Sequence, residues 1–218
     1  MTRRYELIVF DWDGTLMDSA SAIVRAIQAS ARDLGLPEPS DARARHVIGL
    51  GLQEALSYAV PELDPAAYPL MVERYRHHYL SADHRLELFP GSFELIEGLA
   101  GSGRFLGVAT GKSRKGLDRA LAHSGLGPFF HATRCADECF SKPHPQMLEE
   151  VMAECGVLPE RTLMIGDTTH DLNMARNAGV DALAVGFGAH PQEVLRQADP
   201  LTLVDSTAAL AGWLQANA

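Results

Sequence analysis

A short apolar segment near the start of the chain runs straight into two aspartates, and this feature constrains the fold most. Residues 5–10 form the segment, and Asp11 and Asp13 follow it, with Gly14 and Thr15 next. Crowded carboxylates repel each other, so the arrangement favours a divalent cation between them. A strand that ends in carboxylates puts a reaction centre where open α/β sheets bind ligands. A plain aspartate-rich turn is the alternative, since the glycine and glutamate positions of an EF-hand loop are not met.

Composition narrows the class of protein. The chain has 218 residues, of which 46% are hydrophobic and 22% charged, as in ordinary globular proteins. This length suits one sizeable domain, or a core with a small second module. The net charge of −9 argues against nucleic acid and anionic membranes as partners. With no apolar run of membrane-spanning length and no leader pattern, we expect a cytoplasmic protein.

Strand and helix patterns alternate along most of the chain, which predicts βαβ units and a parallel sheet. The predicted strands are 5–10, 104–109, 130–134, 161–166, 181–185 and 201–204. The helices predicted between and after them are 92–101, 113–124, 145–155, 169–178, 190–197 and 206–216. The predicted fold class is α/β, with a Rossmann-like, doubly wound parallel sheet as the core and an inserted all-helical cap.

The segment 17–85 breaks this alternation, because it has helical patterns and no convincing strand. It begins just after the paired aspartates, where a helical module is well placed to act as a lid. A purely structural appendage is the alternative. The predicted division is a core of residues 1–16 and 86–218 and a cap of residues 17–85. Histidines typical of a solvated helix face lie near the end of the cap: His77, His78 and His84.

A second strand end and a framed lysine supply groups that suit a phosphate. The strand predicted at 104–109 leads into Thr110, Gly111 and Lys112. A hydroxyl and the backbone N–H groups after it can hold anionic oxygens, although a threonine here is more often a helix N-cap. Lys142, one of only three lysines, is followed by a proline on a stiff stretch of chain. This framing favours a positioned cation over a solvated surface lysine.

A further strand end repeats the acidic pattern. The strand predicted at 161–166 ends in Asp167, and Asp171 lies four residues on, in the first turn of a predicted helix. Simple capping of that helix is the alternative explanation. Parallel strands with right-handed crossovers end at the same edge of a sheet, so we expect all these polar groups to meet there.

These four motifs resemble those of the haloacid dehalogenase superfamily, over residues 5 to about 190. The first motif, Asp-Trp-Asp-Gly-Thr-Leu-Met-Asp-Ser, is typical of its phosphatase branches, and the chain is most similar to phosphoglycolate-phosphatase-like hydrolases with a small helical cap. The resemblance implies that Asp11 is a nucleophile that forms an aspartyl-phosphate and that Asp13 is the general acid and base. It implies Mg²⁺ held by Asp11, the backbone carbonyl of Asp13, Asp167 and, directly or through water, Asp171.

The resemblance also implies an activity, that of a Mg²⁺-dependent phosphomonoester hydrolase acting on a small phosphorylated metabolite. Its phosphoryl oxygens would be held by Thr110, Gly111 and Lys142. The apolar, glycine-rich loop 49–53, with Gln53 as its polar tip, is predicted to close over the rest of the substrate, and Lys112 to face a substrate carboxylate. A hinge that touches nothing and a solvated lysine are the respective alternatives.

Departures from relatives within the superfamily narrow the activity. Asp13 argues against dehalogenation, because a halide leaving group needs no proton. The absence of lysine from 17–85 excludes Schiff-base chemistry in the cap. The cap has Ile23 near the histidine expected of a mutase, and loop 49–53 has no basic residue. The alternatives that stay open are a pyrophosphatase or phosphomutase of the same fold, or a non-catalytic binding or regulatory module. The sequence indicates neither the physiological substrate nor the oligomeric state.

Overall fold

The apolar segments form one parallel sheet in the computed structural model, which describes residues 4–83 and 86–218. Its six strands are β1 (Leu7–Phe10), β2 (Phe105–Thr110), β3 (Ala132–Cys135), β4 (Thr162–Gly166), β5 (Asp181–Val185) and β6 (Thr202–Val204). Their order is β3–β2–β1–β4–β5–β6, and each neighbouring pair is parallel. The chain winds outward from β1 to one edge and then from β4 to the other. The predicted doubly wound α/β fold is therefore confirmed.

Ten α-helices lie within the described residues. They are α1 (Ala20–Asp33), α2 (Asp41–His46), α3 (Leu52–Ala59), α4 (Tyr68–Asp83), α5 (Ser92–Gly101), α6 (Arg114–Ser124), α7 (Gln146–Cys155), α8 (Thr169–Asn177), α9 (Gln192–Gln197) and α10 (Thr207–Asn217). Each falls on a segment predicted to be helical. None of the helices in this described part of the chain has the length and apolarity needed to cross a membrane.

Both faces of the sheet are covered, and β1 shows why its sequence is apolar throughout. Ile8 and Phe10 pack into a cluster with side chains of α5, α6 and α10. Leu7 and Val9 point the other way, into a cluster with α7 and α8. All four side chains are fully buried. A central parallel strand with helices on both faces needs such an unbroken apolar run, since successive side chains alternate between the faces.

Helices α1 to α4 have a hydrophobic cluster of their own, which includes Ile27, Leu56 and Met71. Ala189, from the segment after β5, also joins this cluster, so the helices rest against the edge of the sheet. The helical content matches the sequence-based expectation for 17–85. The division into cap and core stays a prediction, and its boundary after residue 85, like His84, lies outside the described residues.

Candidate active site

Three carboxylates meet at the centre of the sheet edge. Asp11 directly follows β1 and Asp167 directly follows β4, and these two strands are neighbours at the point where the winding reverses. Asp171 lies in the first turn of α8. All three residues are buried, and one carboxylate oxygen of each lies within 4.8 Å of the others. We call Asp11, Asp167 and Asp171 the acidic cluster, and it lies where open α/β sheets bind ligands.

Lys142 places an ammonium group inside the acidic cluster. Its Nζ donates to Asp11 Oδ1 at 2.6 Å and to Asp171 Oδ1 at 2.7 Å. Burial alone would lower the pKa of Lys142, but the charges of Asp11 and Asp171 outweigh it and raise the pKa above its usual value. The side chain is wholly buried and charged, so it is a positioned cation and not a surface lysine.

The cluster carries more negative charge than Lys142 balances. Burial raises the pKa of Asp11 to about 7, against the opposing charge of Lys142 and with help from Asp171 and Asp13. Burial and the charges of Asp11 and Asp171 also raise the pKa of Asp167 well above its usual value. The Oδ2 atom of Asp11 is buried without a hydrogen-bond partner among the described residues. An unpaired carboxylate oxygen in a dry site is costly, and it marks a place for a cation or a reacting atom.

Asp167 is held by groups that the analysis of the sequence did not single out for this role. Thr15 Oγ1 donates to its Oδ1 at 2.8 Å, and the backbone N–H of Ala189 donates to its Oδ2 at 2.7 Å. Gly14 has a φ of +87°, and a Cβ at Gly14 would collide with the Asp167 carboxylate. Thr15 stands in the first motif, so that motif also supplies support for Asp167. The contact with Ala189 spans 22 residues and has no signal in the sequence.

The donor set fits Mg²⁺. The acidic cluster offers only oxygen ligands, which this ion prefers, and three carboxylates face a single ammonium. The partnerless Oδ2 of Asp11 is available as a ligand. The carboxylate oxygens of Asp171 are less available as metal ligands, because Lys142 donates to its Oδ1 while the N–H and hydroxyl of Thr168 donate to its Oδ2. It therefore caps α8, as the alternative explanation held, and it also holds Lys142.

Asp13 points its side chain to a different set of partners. Its Oδ1 accepts from Ser19 Oγ at 2.6 Å, and Lys112 Nζ lies 2.8 Å from its Oδ2. Lys112 Nζ also donates to the Tyr79 hydroxyl of α4 at 2.9 Å. Burial alone would lower the pKa of Lys112, but Asp13 raises it above its usual value. Lys112 is not the solvated lysine of the alternative, and Ser19 and Tyr79 join the site although sequence reasoning assigned them no part.

The end of β2 brings Thr110 to the same edge. Thr110 is buried, and its hydroxyl accepts the backbone N–H of Lys112 at 3.2 Å. The N-cap of α6 is Ser113, whose hydroxyl accepts the N–H of Gly116. Thr110 is thus free of the capping role that was its structural alternative. Its hydroxyl remains a candidate contact for an anionic oxygen.

Loop 49–53 lies against the core. A Cβ at Gly111 would come within 2.5 Å of the Leu50 carbonyl oxygen, so only glycine permits this approach of the loop. The N–H of Gly51 donates to Ser141 Oγ, next to Lys142, at 2.9 Å. The loop therefore touches two of the predicted motifs and is not a hinge free of contacts. Gln53 lies in the first turn of α3 and is exposed, so its predicted part in substrate binding remains a prediction.

A cavity of about 350 Å³ opens beside the pair of Asp13 and Lys112. Its walls combine apolar side chains, among them Trp12 and Met17, with Lys112 and with Tyr79 from α4. The volume is at the lower end of the range for small-molecule sites. The cavity offers a small ligand an apolar wall, the buried ammonium of Lys112 and, from α6, the guanidinium of Arg119.

Comparisons with known proteins agree with this geometry. Residues 8–185 match the family model described as haloacid dehalogenase-like hydrolase. A Dickeya dadantii protein named "Probable phosphatase IndB" is 37% identical over 212 residues, which cover 94% of this chain and 92% of that protein. A Pseudomonas aeruginosa 5'-nucleotidase is 32% identical over 216 residues, with 98% and 97% covered. An Agrobacterium fabrum phosphoglycolate phosphatase is 29% identical over 215 residues, with 94% and 90% covered.

Solved structures show the same fold. A hydrolase from Pseudomonas syringae superposes with a TM-score of 0.88 at 22% identity and covers 97% of this chain and 98% of its own. A predicted phosphoglycolate phosphatase from Haemophilus somnus gives a TM-score of 0.85 at 24% identity, with 97% and 99% covered. The superfamily resemblance drawn from the sequence is confirmed, and the prediction of a phosphatase agrees with the relatives' names. The chain belongs to the haloacid dehalogenase-like hydrolase family.

Proposed function

We propose that the chain is a Mg²⁺-dependent phosphomonoester hydrolase, similar to phosphoglycolate phosphatases, that works through an aspartyl-phosphate. One observation carries most of the proposal. Asp11 is held at the strand junction by Lys142, while its Oδ2 lies buried without a partner among the described residues. A fixed carboxylate oxygen beside a buried ammonium is suited to attack an anionic phosphoryl group, since the ammonium offsets the negative charge of both.

The residues divide the reaction into two steps. Asp11 attacks phosphorus and forms an aspartyl-phosphate, while the bond from phosphorus to the leaving oxygen breaks and Asp13 gives that oxygen a proton. Asp13 then takes a proton from a water molecule, which attacks the phosphorus and releases phosphate and the free Asp11 carboxylate. Thr110 and Lys142 hold the phosphoryl oxygens in both steps. Asp11 and Asp167 would hold Mg²⁺, which would supply further positive charge to those oxygens.

Lys112 suggests the class of leaving group. Its Nζ contacts both carboxylate oxygens of Asp13, so it occupies the group that would serve the leaving oxygen. A substrate with a second anionic group, such as a carboxylate, would draw Lys112 away from Asp13 and leave that side chain free to reach the leaving oxygen. The cavity of about 350 Å³ beside Lys112 limits this to a small metabolite. We propose that helices α1 to α4 act as the cap that encloses it.

A substrate panel tests the proposal. The purified protein is incubated with phosphoglycolate, sugar phosphates, nucleoside monophosphates and pyrophosphate, with Mg²⁺ or with EDTA, and released phosphate is measured. We expect Mg²⁺-dependent release, fastest from a small carboxylate-bearing monoester. Asp11→Asn should lower kcat by at least about 1,000-fold, because the amide is a poor nucleophile.

Asp18→Asn is the matched control. Asp18 belongs to the same motif, but its side chain is exposed, so kcat should stay near that of the wild type. Substantial turnover by Asp11→Asn would rule out Asp11 as the nucleophile. Release from pyrophosphate alone would favour the pyrophosphatase alternative, and a wild-type protein that releases phosphate from nothing would favour the non-catalytic module.

A further inference from the structure

Three histidines meet where the helical segment joins the core, and two of them are chain neighbours of Asp171 and of Ala189, which contacts Asp167. His46 ends α2, His170 lies in the first turn of α8, and His190 follows β5. Their ring centroids are 5.2 to 5.3 Å apart, and one ring nitrogen of each lies within 4.8 Å of the others. The cluster therefore brings together nitrogen ligands from the helical segment and from the core.

Two of the rings converge on a single point. Nε2 of His170 lies 2.7 Å and Nε2 of His190 lies 3.1 Å from the backbone carbonyl oxygen of His46. A carbonyl oxygen only accepts hydrogen bonds, so each Nε2 carries a proton. The backbone N–H of Thr169 donates to Nδ1 of His190 at 3.1 Å, and this makes the His190 ring neutral.

The hydrogen bond from Thr169 keeps the His190 ring in the neutral form that binds metals. A neutral imidazole is the commonest protein ligand for transition metals. The His46 ring stacks on that of His190 at an interplanar angle of 7°.

We propose that His46, His170 and His190 form a transition-metal site for a dication such as Zn²⁺, which ties α2 to α8 and to the segment after β5. Zn²⁺ takes three histidine nitrogens and a water readily, whereas Mg²⁺ prefers the oxygen ligands of the acidic cluster. Binding through Nε2 moves the proton of His170 and His190 to Nδ1. The rings then give up their hydrogen bonds with the His46 carbonyl and with the Thr169 N–H, since the metal takes Nε2 and a protonated Nδ1 no longer accepts. A metal in this place links the helical segment to the core and restrains opening of the cavity.

His46→Phe removes one metal ligand and leaves the other contacts between the helical segment and the core in place. The variant keeps a ring to stack on His190, and it keeps the backbone carbonyl that His170 and His190 contact. His77→Phe is the matched control, since His77 is an exposed histidine on α4. Zn²⁺ binding is measured by equilibrium dialysis and elemental analysis, with excess Mg²⁺ present throughout to fill the acidic cluster.

We expect one Zn²⁺ per chain for the wild type and for His77→Phe, and an affinity at least about tenfold lower for His46→Phe. Zn²⁺ should also raise the thermal midpoint of the wild type more than that of His46→Phe. If His46→Phe does not fold, His170→Gln serves instead, because its amide can still donate to the His46 carbonyl. Equal binding by wild type and variant, or loss of Zn²⁺ in excess Mg²⁺, would overturn the proposal. This outcome is independent of the substrate panel.

Discussion

At the scale of single residues, Lys142 decides whether three carboxylates can share one dry site. It is the cation that contacts both Asp11 and Asp171, and its side chain is wholly buried. A buried ion pair contributes little net stability, but removal of one partner leaves an uncompensated charge and costs about 3 to 5 kcal/mol. Lys142 is therefore needed to assemble the site as well as to bind phosphate.

Lys142→Met tests this at nearly constant side-chain volume. In EDTA we expect the free energy of unfolding to fall by about 3 kcal/mol, because the acidic cluster loses its contacting ammonium. Mg²⁺ should recover part of the loss, since it replaces the missing positive charge. Urea unfolding in EDTA and in Mg²⁺ measures both effects. Lys115→Met, at an exposed position of α6, should change neither, and a Lys142→Met variant as stable as the wild type in EDTA would contradict the argument.

At the scale of elements, loop 49–53 and the end of β2 fit together only because Gly111 has no side chain. The Leu50 and Gly49 carbonyl oxygens would lie 2.5 and 2.6 Å from a Cβ at this position. Both are backbone atoms, so they cannot swing aside as the end of a flexible side chain would. The close approach brings loop 49–53 against Gly111, which lies between Thr110 and Lys112 in the chain.

Gly111→Ala should therefore push the loop away from the core. We expect kcat/KM on the best substrate to fall about 100-fold, because a displacement near 1 Å at a reaction centre has effects of that size. Steady-state kinetics measures it. Gly98→Ala is the control, since nothing lies within 4 Å of a Cβ there and alanine favours the α5 helix. Equal kcat/KM for both variants would mean that the loop does not position the site.

The strand ends show which parts of the site can be predicted from sequence. Asp11, Thr110 and Asp167 each follow an apolar run, and a parallel sheet brings such positions to one edge whatever lies between them. Asp171 follows from helical spacing after Asp167. Lys142 has no strand immediately before it, and there the framing proline and the family resemblance carried the prediction.

Contacts between side chains that are distant in the chain could not be predicted in this way. Tyr79 meets Lys112 across 33 residues, and His46 meets His190 across 144. Such contacts depend on how α2 and α4 pack against the core, and the periodicity of the sequence does not predict that packing. Each of these residues looks like an ordinary member of a helix or loop until the packing is known.

At the scale of the whole molecule, the fold gathers three carboxylates in a buried site, where unbalanced negative charge lowers stability. The chain carries a net charge of −9, and the acidic cluster lies at the centre of the sheet edge without contact with bulk water. Global electrostatics therefore disfavours an anionic substrate, and local cations such as Lys112 and Lys142 oppose this. A bound dication would relieve the repulsion and recruit phosphate together, so stability and function should both depend on it.

Mg²⁺ should raise the thermal midpoint, because the unfolded chain does not assemble the acidic cluster. At a concentration about 100 times its Kd the gain is about 2.7 kcal/mol. For 218 residues this corresponds to a shift of about 5 to 10 °C, which differential scanning calorimetry measures. Asp167→Asn should lose most of the shift, whereas Asp205→Asn, at an exposed position, should keep it.

The same variant should behave differently in EDTA. Burial and the charges of Asp11 and Asp171 raise the pKa of Asp167, so its ionised form opposes folding at neutral pH. The amide of Asp167→Asn carries no charge and can still accept the N–H of Ala189. Its midpoint in EDTA should therefore equal or exceed that of the wild type, and it should fall behind only when Mg²⁺ is added. A variant that is less stable than the wild type in EDTA and yet keeps its Mg²⁺ shift would place the cation outside the acidic cluster. An ionised carboxylate that binds Mg²⁺ lowers the stability of the protein without the metal, and the Mg²⁺ shift depends on that carboxylate.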